Sequence, residues 1–199
     1  MEQEARIAAC LRAGDLYGAA TLSVEVYGPE VLGFLVTLLR DEQDASEAFS
    51  QACEDLWKGL ARFEGRSSFR TWFYTLARHA AARLRRSPQR AARRRVPLSE
   101  ISELAAGVRS RTLPFLRGEV KHRLAEIRDA LDESDRALLV LRVDRDMDWK
   151  DIARVFSPGI DSEQELARVS ARLRKRFQLV KEEIRERAQE LGLLHENDR

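Results

Sequence analysis

The sequence predicts an all-α protein with two small helical domains joined by a basic flexible linker. Apolar residues recur at helical spacing along most of the 199 residues, and no segment alternates as a half-buried β-strand does. Residues 87–118 break this pattern, because they combine an arginine cluster with prolines, glycines and weak periodicity. We therefore predict a first domain over residues 1–86, a linker over residues 87–118 and a second domain over residues 119–199.

The first domain contains a series of amphipathic helices. Gly28-Pro29 is predicted to end the first helical region and to open a second helix with a leucine-rich stripe. The next helix, from Asp41 to Arg62, keeps apolar residues such as Phe49 and Trp57 at helical spacing. Its outer face is acidic and polar, and carries Asp41, Glu42, Asp44, Glu47, Gln51, Glu54 and Asp55. Such a face suits either contact with water or docking of a protein partner.

The segment from Phe63 to Arg86 combines an aromatic apolar helix face with an increasingly basic one. Ser67 or Ser68 in its polar loop can cap the helix that starts at Phe69. The face opposite the apolar stripe, with its flank, carries Thr71, Tyr74, Thr75, Arg78, His79, Arg85 and Arg86. Aromatic, hydroxyl and guanidinium groups on one rigid helix suit contact with phosphates and unstacked bases. From these residues alone, an amphipathic core helix whose arginines face water is an equal alternative.

The second domain ends in a predicted helix-turn-helix. A short helix with Trp149 and Ile152 stops at Ser157-Pro158-Gly159, and Ser162 then caps a long helix. Opposite the apolar stripe of the long helix lie Arg168, Arg172 and Lys175. A short helix, a tight turn and a basic helix are typical of a unit whose second helix enters the major groove. An ordinary helical bundle with solvated arginines is the alternative.

Composition points away from several other classes of protein. The formal net charge is only +2 although 34% of the residues are charged. The distribution of acidic and basic residues over the surface therefore says more about binding partners than the net charge does. Cys10 and Cys53 are predicted to be free thiols, and the histidines make no metal-ligand pattern with them. We recognise no catalytic motif, and expect no enzyme, cofactor or metal. No apolar run is long enough for a membrane span, which predicts a cytoplasmic protein.

The two halves, in this order, resemble a bacterial RNA polymerase sigma factor of the sigma-70 family, extracytoplasmic-function (ECF) type. The run RFEGRSSFRTWFYTLAR carries the most specific part of the resemblance to region 2 of that family. Further matches to region 2 are Gly14-Asp15, Tyr27, Leu35, Asp44-Ala45 and Leu56-Trp57. The looser match to region 4 rests on Leu138–Arg142, Asp151–Ala153 and Val169–Arg176. The chain departs from the family at His79, where an asparagine is usual, and in a longer segment before Val169.

The resemblance implies a function in starting transcription. Residues implied to bind RNA polymerase core are Asp41, Asp44, Glu47, Gln51, Glu54 and Asp55. Residues implied to hold the melted minus-ten promoter element are Arg66, Ser67, Ser68, Tyr74, Arg78, His79, Arg85 and Arg86. Arg168, Arg172 and Lys175 would read the minus-thirty-five element.

The implied partners are RNA polymerase core, through its β′ clamp helices and β flap, promoter DNA and an anti-sigma factor. Two alternatives stay open at this point. A stand-alone helix-turn-helix regulator would bind DNA tightly without polymerase, whereas a helical adaptor would bind no nucleic acid at all.

Overall fold

The computed structural model describes residues 2–86, 100–119 and 123–191, and every regular element in these ranges is helical. The predicted all-α fold class is therefore confirmed. The chain divides into two compact units, Met1–Leu116 and Arg117–Arg199. The predicted domain limits at residues 86 and 119 stay predictions, since residues 87–99 and 120–122 lie outside the described ranges.

The described part of unit 1 contains four helices and most of a fifth, and three of them begin at a side-chain cap. They are α1 (Glu2–Arg12), α2 (Leu16–Leu39), α3 (Glu42–Gly59), α4 (Phe69–Arg86) and α5 (Glu100–Glu119), with a short 3₁₀ turn at Leu60–Arg62. Asp15 caps α2 by accepting from the Gly18 amide at 2.7 Å, and Asp41 caps α3 in the same way through the Asp44 amide. Of the two predicted caps of α4, Ser68 is the one used, at 3.0 Å from the Thr71 amide.

Helices α2, α3 and α4 pack against one another and enclose the core of unit 1. The core contains fully buried large side chains from all three helices, namely Leu32, Phe34, Leu35, Phe49, Leu56, Phe73 and Tyr74. Burying each such side chain stabilises the fold by about 1.5–3 kcal/mol. This packing holds α3 and α4 side by side, so that their outer faces belong to one rigid body.

The structure corrects the helix break predicted at Gly28-Pro29. Helix α2 runs without interruption from Leu16 to Leu39 and includes Pro29. Proline lacks the amide hydrogen that would bond one turn back, which normally costs a helix about 3 kcal/mol or more. Burial on both sides of this point, at Tyr27 and Val31, outweighs that cost because α1, α3 and α4 all pack on α2.

The same helix bears on the prediction that no segment could span a membrane. By length and composition alone, α2 is apolar enough to cross a bilayer. Half of its most apolar window is buried inside the protein, which is equally typical of a core helix. The prediction that no apolar run is long enough to span a membrane was therefore wrong. Helix α2 is weak evidence for a membrane span.

The predicted linker is partly helical. Helix α5 covers Glu100–Glu119, and its residues Ile101, Ala105 and Val108 are buried. These positions follow the spacing i, i+4, i+7, so they form one stripe along the helix. The expectation that residues 87–118 adopt no fixed conformation is wrong for this part, because three small apolar side chains are enough to seat a helix on a neighbour. Arg90 and Arg93–Arg95 lie outside the described residues.

Unit 2 contains four described helices, of which the last two form the predicted helix-turn-helix. They are α6 (Arg123–Ala130), α7 (Glu133–Leu139), α8 (Trp149–Phe156) and α9 (Glu163–Glu190), and a π-helical turn at Val140–Asp144 follows α7. Gly159 has a φ of 83° between α8 and α9, a left-handed conformation that glycine adopts without strain. Ser162 caps α9, whereas Asp148 precedes α8 without making a side-chain capping bond.

Side-chain bonds fix α9 against the helices before it. The Ser170 hydroxyl donates to the backbone oxygen of Trp149 at 3.2 Å. Arg176 donates through Nε and Nη2 to both carboxylate oxygens of Asp135, which is only 2% exposed. Most of the predicted apolar stripe of α9 is buried, although Leu191 is exposed. The orientation of α9 is therefore set from the core of unit 2.

Candidate functional site

The outer surface of α3 retains much of the predicted acidic face. Asp41 and Asp44 are exposed, and Glu47 is half-buried. Glu54 makes an ion pair with Lys58 at 3.2 Å, one turn further along the helix. We call Asp41, Asp44, Glu47 and Glu54 the acidic surface of α3. It presents carboxylates to a partner without competing ion pairs at Asp41 or Asp44 in the described part of the chain.

Two residues predicted to belong to this surface lie elsewhere. Gln51 is only 6% exposed and donates to Glu47 at 2.9 Å, so its predicted contact with polymerase is corrected to a role inside the helix. Asp55 pairs with Arg83 of α4 and joins the two helices. Trp57, which helical spacing placed among the apolar positions of this helix, is 37% exposed and packs edge-to-face with exposed Tyr17, at 6.4 Å between ring centroids. Helical spacing alone did not show this exposure.

The loop between the 3₁₀ turn and α4 is built on stacked aromatic rings. Phe63 stacks on Phe69 with 4.3 Å between centroids and tilts against Trp72 at 4.9 Å. Gly65 has a φ of 70°, which explains why the motif carries glycine there. Arg66 is exposed and pairs with Glu64.

An open cavity of about 220 Å³ lies beside the loop on the Trp72 side. Its lining residues are Arg62, Phe63, Glu64, Arg66, Ser67 and Trp72. A larger cavity of about 600 Å³ lies against α1, and Ser67 lines both. Trp72 and His79 are seven residues apart on α4, two turns along the same face. The smaller cavity and His79 therefore share one side of α4.

The start of α4 is held by residues that the sequence analysis did not single out. The Glu4 carboxylate of α1 accepts from the backbone amides of Phe69 and Arg70, at 2.9 and 3.1 Å. It also accepts from the Tyr27 hydroxyl at 2.7 Å, and burial together with this bond raises the pKa of Tyr27. A carboxylate at the amino end of a helix is stabilised by the free amides and the helix dipole. A lone glutamate in α1 carries no sequence signal for this contact, because its donors are distant in the chain.

Replacing Glu4 by alanine is expected to destabilise unit 1. Three donors would lose a charged acceptor, and hydrogen bonds to charged groups are worth about 1.5–3 kcal/mol. Because Glu4 is partly exposed and water can replace some of the bonds, we expect a loss of about 1–3 kcal/mol in urea unfolding. Glu2→Ala, on the exposed face of the same helix, is the matched control. Equal stabilities of the two variants would contradict the capping role of Glu4.

Tyr74 is the clearest correction among the predicted DNA-binding residues. Its side chain is 0% exposed and packs edge-to-face on Phe34 at 5.3 Å. Thr71 and Thr75, predicted on the same polar face, are also buried. Tyr74 therefore belongs to the core in this structure and is not placed to stack on a base. The error arose because α4 is covered on two sides, by α2 and α3, and only a narrow strip stays outside.

The strip of α4 that reaches solvent is basic. Arg85 and Arg86 are exposed, and Arg85 also donates to the backbone oxygen of Leu38 at 3.3 Å. Arg78 and His79 are half-buried. Burial, assisted by the positive charges of Arg83 and Arg78, lowers the pKa of His79. The shift favours the neutral imidazole, in which one ring nitrogen can donate a hydrogen bond and the other can accept one.

In unit 2, Arg168, Arg172 and Lys175 are exposed along one face of α9, as the sequence predicted. The neighbouring arginines of the helix are engaged within the unit. Arg174 lies over the Trp149 ring at 5.8 Å, and Arg176 is bonded to Asp135. Arg168, Arg172 and Lys175 are therefore left directed away from unit 2. They lie on one face of α9, as the base-reading residues of a helix in the major groove do.

No cluster of three or more metal-ligating side chains was found within residues 2–86, 100–119 and 123–191.

Comparison with known proteins agrees with this architecture. Residues 24–91 match the family model of sigma-70 region 2. Over 166 residues the chain is 28% identical to the RNA polymerase sigma-H factor of Pseudomonas aeruginosa, and the alignment covers 78% of this chain and 83% of that protein. The aligned part is longer than unit 1, so the similarity extends into unit 2. Residues 24–91 therefore resemble a sigma-70 region 2, and most of the chain is similar in sequence to an RNA polymerase sigma factor.

Proposed function

We propose that the chain is a sigma factor of the ECF type that brings RNA polymerase core to promoters and helps to open them. The observation that carries the proposal is the loop at residues 63–68, where stacked aromatic rings and a small cavity lie at the start of α4, a helix whose solvent-facing strip is basic further along. This combination suits an unpaired nucleic-acid strand, because rings and cavities receive bases while arginines hold phosphates. The place of action follows from the partner, since RNA polymerase acts in the cytoplasm.

The acidic surface of α3 is the proposed docking site for the polymerase, as the family resemblance implies for the β′ clamp helices. Asp41 and Asp44 offer exposed carboxylates, and Trp57 adds an exposed aromatic ring on the same helix. Charged groups at an interface guide the encounter, whereas a buried aromatic anchor supplies much of the affinity. The β flap and an anti-sigma factor are further predicted partners.

Strand capture is assigned to the cavity beside Trp72 and to His79. Neutral His79 can stack on a base and exchange hydrogen bonds with its edge. Arg78, Arg85 and Arg86 would contact phosphates without regard to sequence. Extruding a base costs a few kcal/mol, which a shaped pocket and these contacts together offset.

Recognition of the upstream element is assigned to Arg168, Arg172 and Lys175 of α9. Their exposure on one face supports insertion of the amino-terminal half of the helix into a major groove. Further along α9 the charge is mixed, with exposed Glu182 and Glu186, which disfavours close approach of phosphates there.

Transcription reconstituted from purified core polymerase, this chain and a genomic fragment library tests the proposal. We expect transcripts that start at a limited set of sites and depend on both proteins. Tight, sequence-specific DNA binding by the chain alone, with no effect on polymerase, would indicate a stand-alone regulator instead. Absence of salt-dependent DNA binding with and without polymerase would indicate a protein adaptor.

The capture site makes a specific prediction about strand separation. Changing His79 to Ala and Ser67 to Leu should impair transcription from duplex promoters far more than from a template with a premelted bubble. The cost of unpairing is already met in the bubble, so the lost contacts matter less there. Ser68 is left unchanged because it caps α4, and its replacement would disturb the helix itself.

The comparison requires that the variant keep its helicity and its affinity for core polymerase. Under that condition, equal losses on duplex and bubble templates would show that this part of α4 does not capture the strand.

A further inference from the structure

Helix α5 contacts α2 at Gly28 and α3 at Ser50. Its residues Ile101, Ala105 and Val108 form a buried stripe. The contact can be located at Gly28, where an added Cβ would lie 3.3 Å from Val108 Cγ1 and 3.3 Å from Phe49 Cζ. Residues from three different helices therefore meet at this point.

Gly28 has a packing function in this contact. A glycine in the interior of a helix costs about 1 kcal/mol relative to alanine, and Gly28 is followed by a proline that costs more. Any side chain at position 28 would press on Phe49 and Val108. Because Gly28 has no Cβ, α5 can approach α2 closely. This close packing explains why a glycine occupies position 28 in spite of its low helix propensity.

The polar end of the contact reaches the acidic surface of α3. Arg109, next to Val108, donates from Nη1 to the Ser50 hydroxyl. On α3, Ser50 stands three residues after Glu47 and four before Glu54, and so lies on the same face as both. Burial raises the pKa of the Cys53 thiol, and the nearby Arg109 charge opposes that rise. The Arg109 guanidinium is therefore seated at the edge of the surface proposed to dock polymerase.

We propose that α5 is an intramolecular cover on the edge of the acidic surface of α3, which RNA polymerase core displaces when it docks. This inference rests on the proposed function of α3. The Arg109 guanidinium takes a place where a cationic group of the partner would otherwise approach the carboxylates. Three buried apolar side chains and one side-chain bond of the described part of α5 hold the cover, so a partner with a larger interface can displace it.

A matched pair of arginine variants tests the cover. Arg109→Ala removes the bond to Ser50, whereas Arg111→Ala removes the same charge from an exposed position on the same helix. Affinity for core polymerase is measured by fluorescence anisotropy with a labelled chain. Since one charge-assisted hydrogen bond closes the cover, we expect Arg109→Ala to bind about threefold to tenfold more tightly than the unmodified chain. Arg111→Ala should bind as the unmodified chain does.

A disulfide between α2 and α5 tests the same idea in the opposite direction. A Cβ at position 28 would lie 3.3 Å from Val108 Cγ1, near the place of a cysteine sulfur at position 108, so a Gly28→Cys, Val108→Cys pair can be joined. Because the new Cβ also presses on Phe49, the oxidised form is compared only with the reduced form of the same variant. The variant is made in a Cys10→Ser background, and peptide mass spectrometry verifies the disulfide. Closing the disulfide should weaken polymerase binding more than about tenfold, because the state in which α5 has left α3 is no longer populated. Reduction should restore the affinity.

The outcomes separate the cover from the docking function. Equal affinities of the oxidised and reduced forms, or weaker binding by Arg109→Ala, would overturn the cover and indicate that α5 is neutral or part of the interface. If the unmodified chain and the reduced variant both fail to bind core polymerase, the proposed docking function itself is wrong.

Discussion

Reversing the charge of Asp44 and Glu47 together, to lysine, is expected to reduce affinity for RNA polymerase core by about 100-fold or more. Placing like charges against each other in an interface costs several kcal/mol, and both substitutions lie on the acidic surface of α3. Neither side chain belongs to the core, although Glu47 accepts one bond from Gln51 within the helix. Co-purification and anisotropy with core polymerase measure the effect, and circular dichroism verifies that helicity is kept.

The control reverses the same number of charges elsewhere on unit 1. Glu2 and Glu25 are exposed on α1 and α2, so Glu2→Lys with Glu25→Lys changes the net charge equally without touching α3. We expect this control to lose little affinity at moderate salt, where distant charges are screened. If both double variants bind core polymerase equally well, α3 is not the docking surface.

Removing Arg172 is expected to lower promoter use and to relax the preference at one position of the upstream element. Loss of an arginine that reads a base costs about 1–3 kcal/mol at that position, whereas loss of a phosphate contact weakens all sequences alike. Transcription from a promoter library randomised over the upstream element distinguishes the two results. The same measurement on Arg168→Ala and Lys175→Ala assigns each side chain to a base or to the backbone.

Two other arginines of α9, Arg185 and Arg176, serve as controls for the proposed base-reading residues. Arg185 is exposed further along the helix and apart from the proposed reading face, so Arg185→Ala should leave promoter preference unchanged. Arg176→Ala should lower the melting temperature instead, since Asp135 would stay buried without its partner. A change of preference in Arg185→Ala, with none in the alanine variants at 168, 172 and 175, would place recognition on another part of the helix.

Periodicity and capping chemistry predicted the helices well where one face of a helix is buried. The long helix α9 shows this, because its apolar stripe and its capping Ser162 set its limits and leave Arg168, Arg172 and Lys175 outside. Prediction was poorer where two neighbours cover a helix. Tyr74 was placed on a polar face, but α2 and α3 enclose that side of α4.

Contacts between residues distant in the chain could not be predicted from local patterns. Nothing near Glu4 indicates that its carboxylate meets the amides of Phe69 and Arg70, and nothing near Gly28 indicates that α5 seats there. Local rules even misread Gly28-Pro29 as a helix break, since tertiary packing outweighs propensity at that point. The family resemblance supplied the assignment of function, while the structure separates outward residues from those used inside the fold.

The contact between Glu4 and the start of α4 also has a consequence for the order in which unit 1 assembles. Glu4 and the Phe69 amide are separated by 65 positions, so this bond closes a large loop and can form only after α4 has been synthesised. Until then α1 has only part of its partners. Hydrogen exchange at the Phe69 and Arg70 amides therefore reports on detachment of α1 rather than on fraying of α4, and links the motion of one end of the unit to the segment proposed to open DNA.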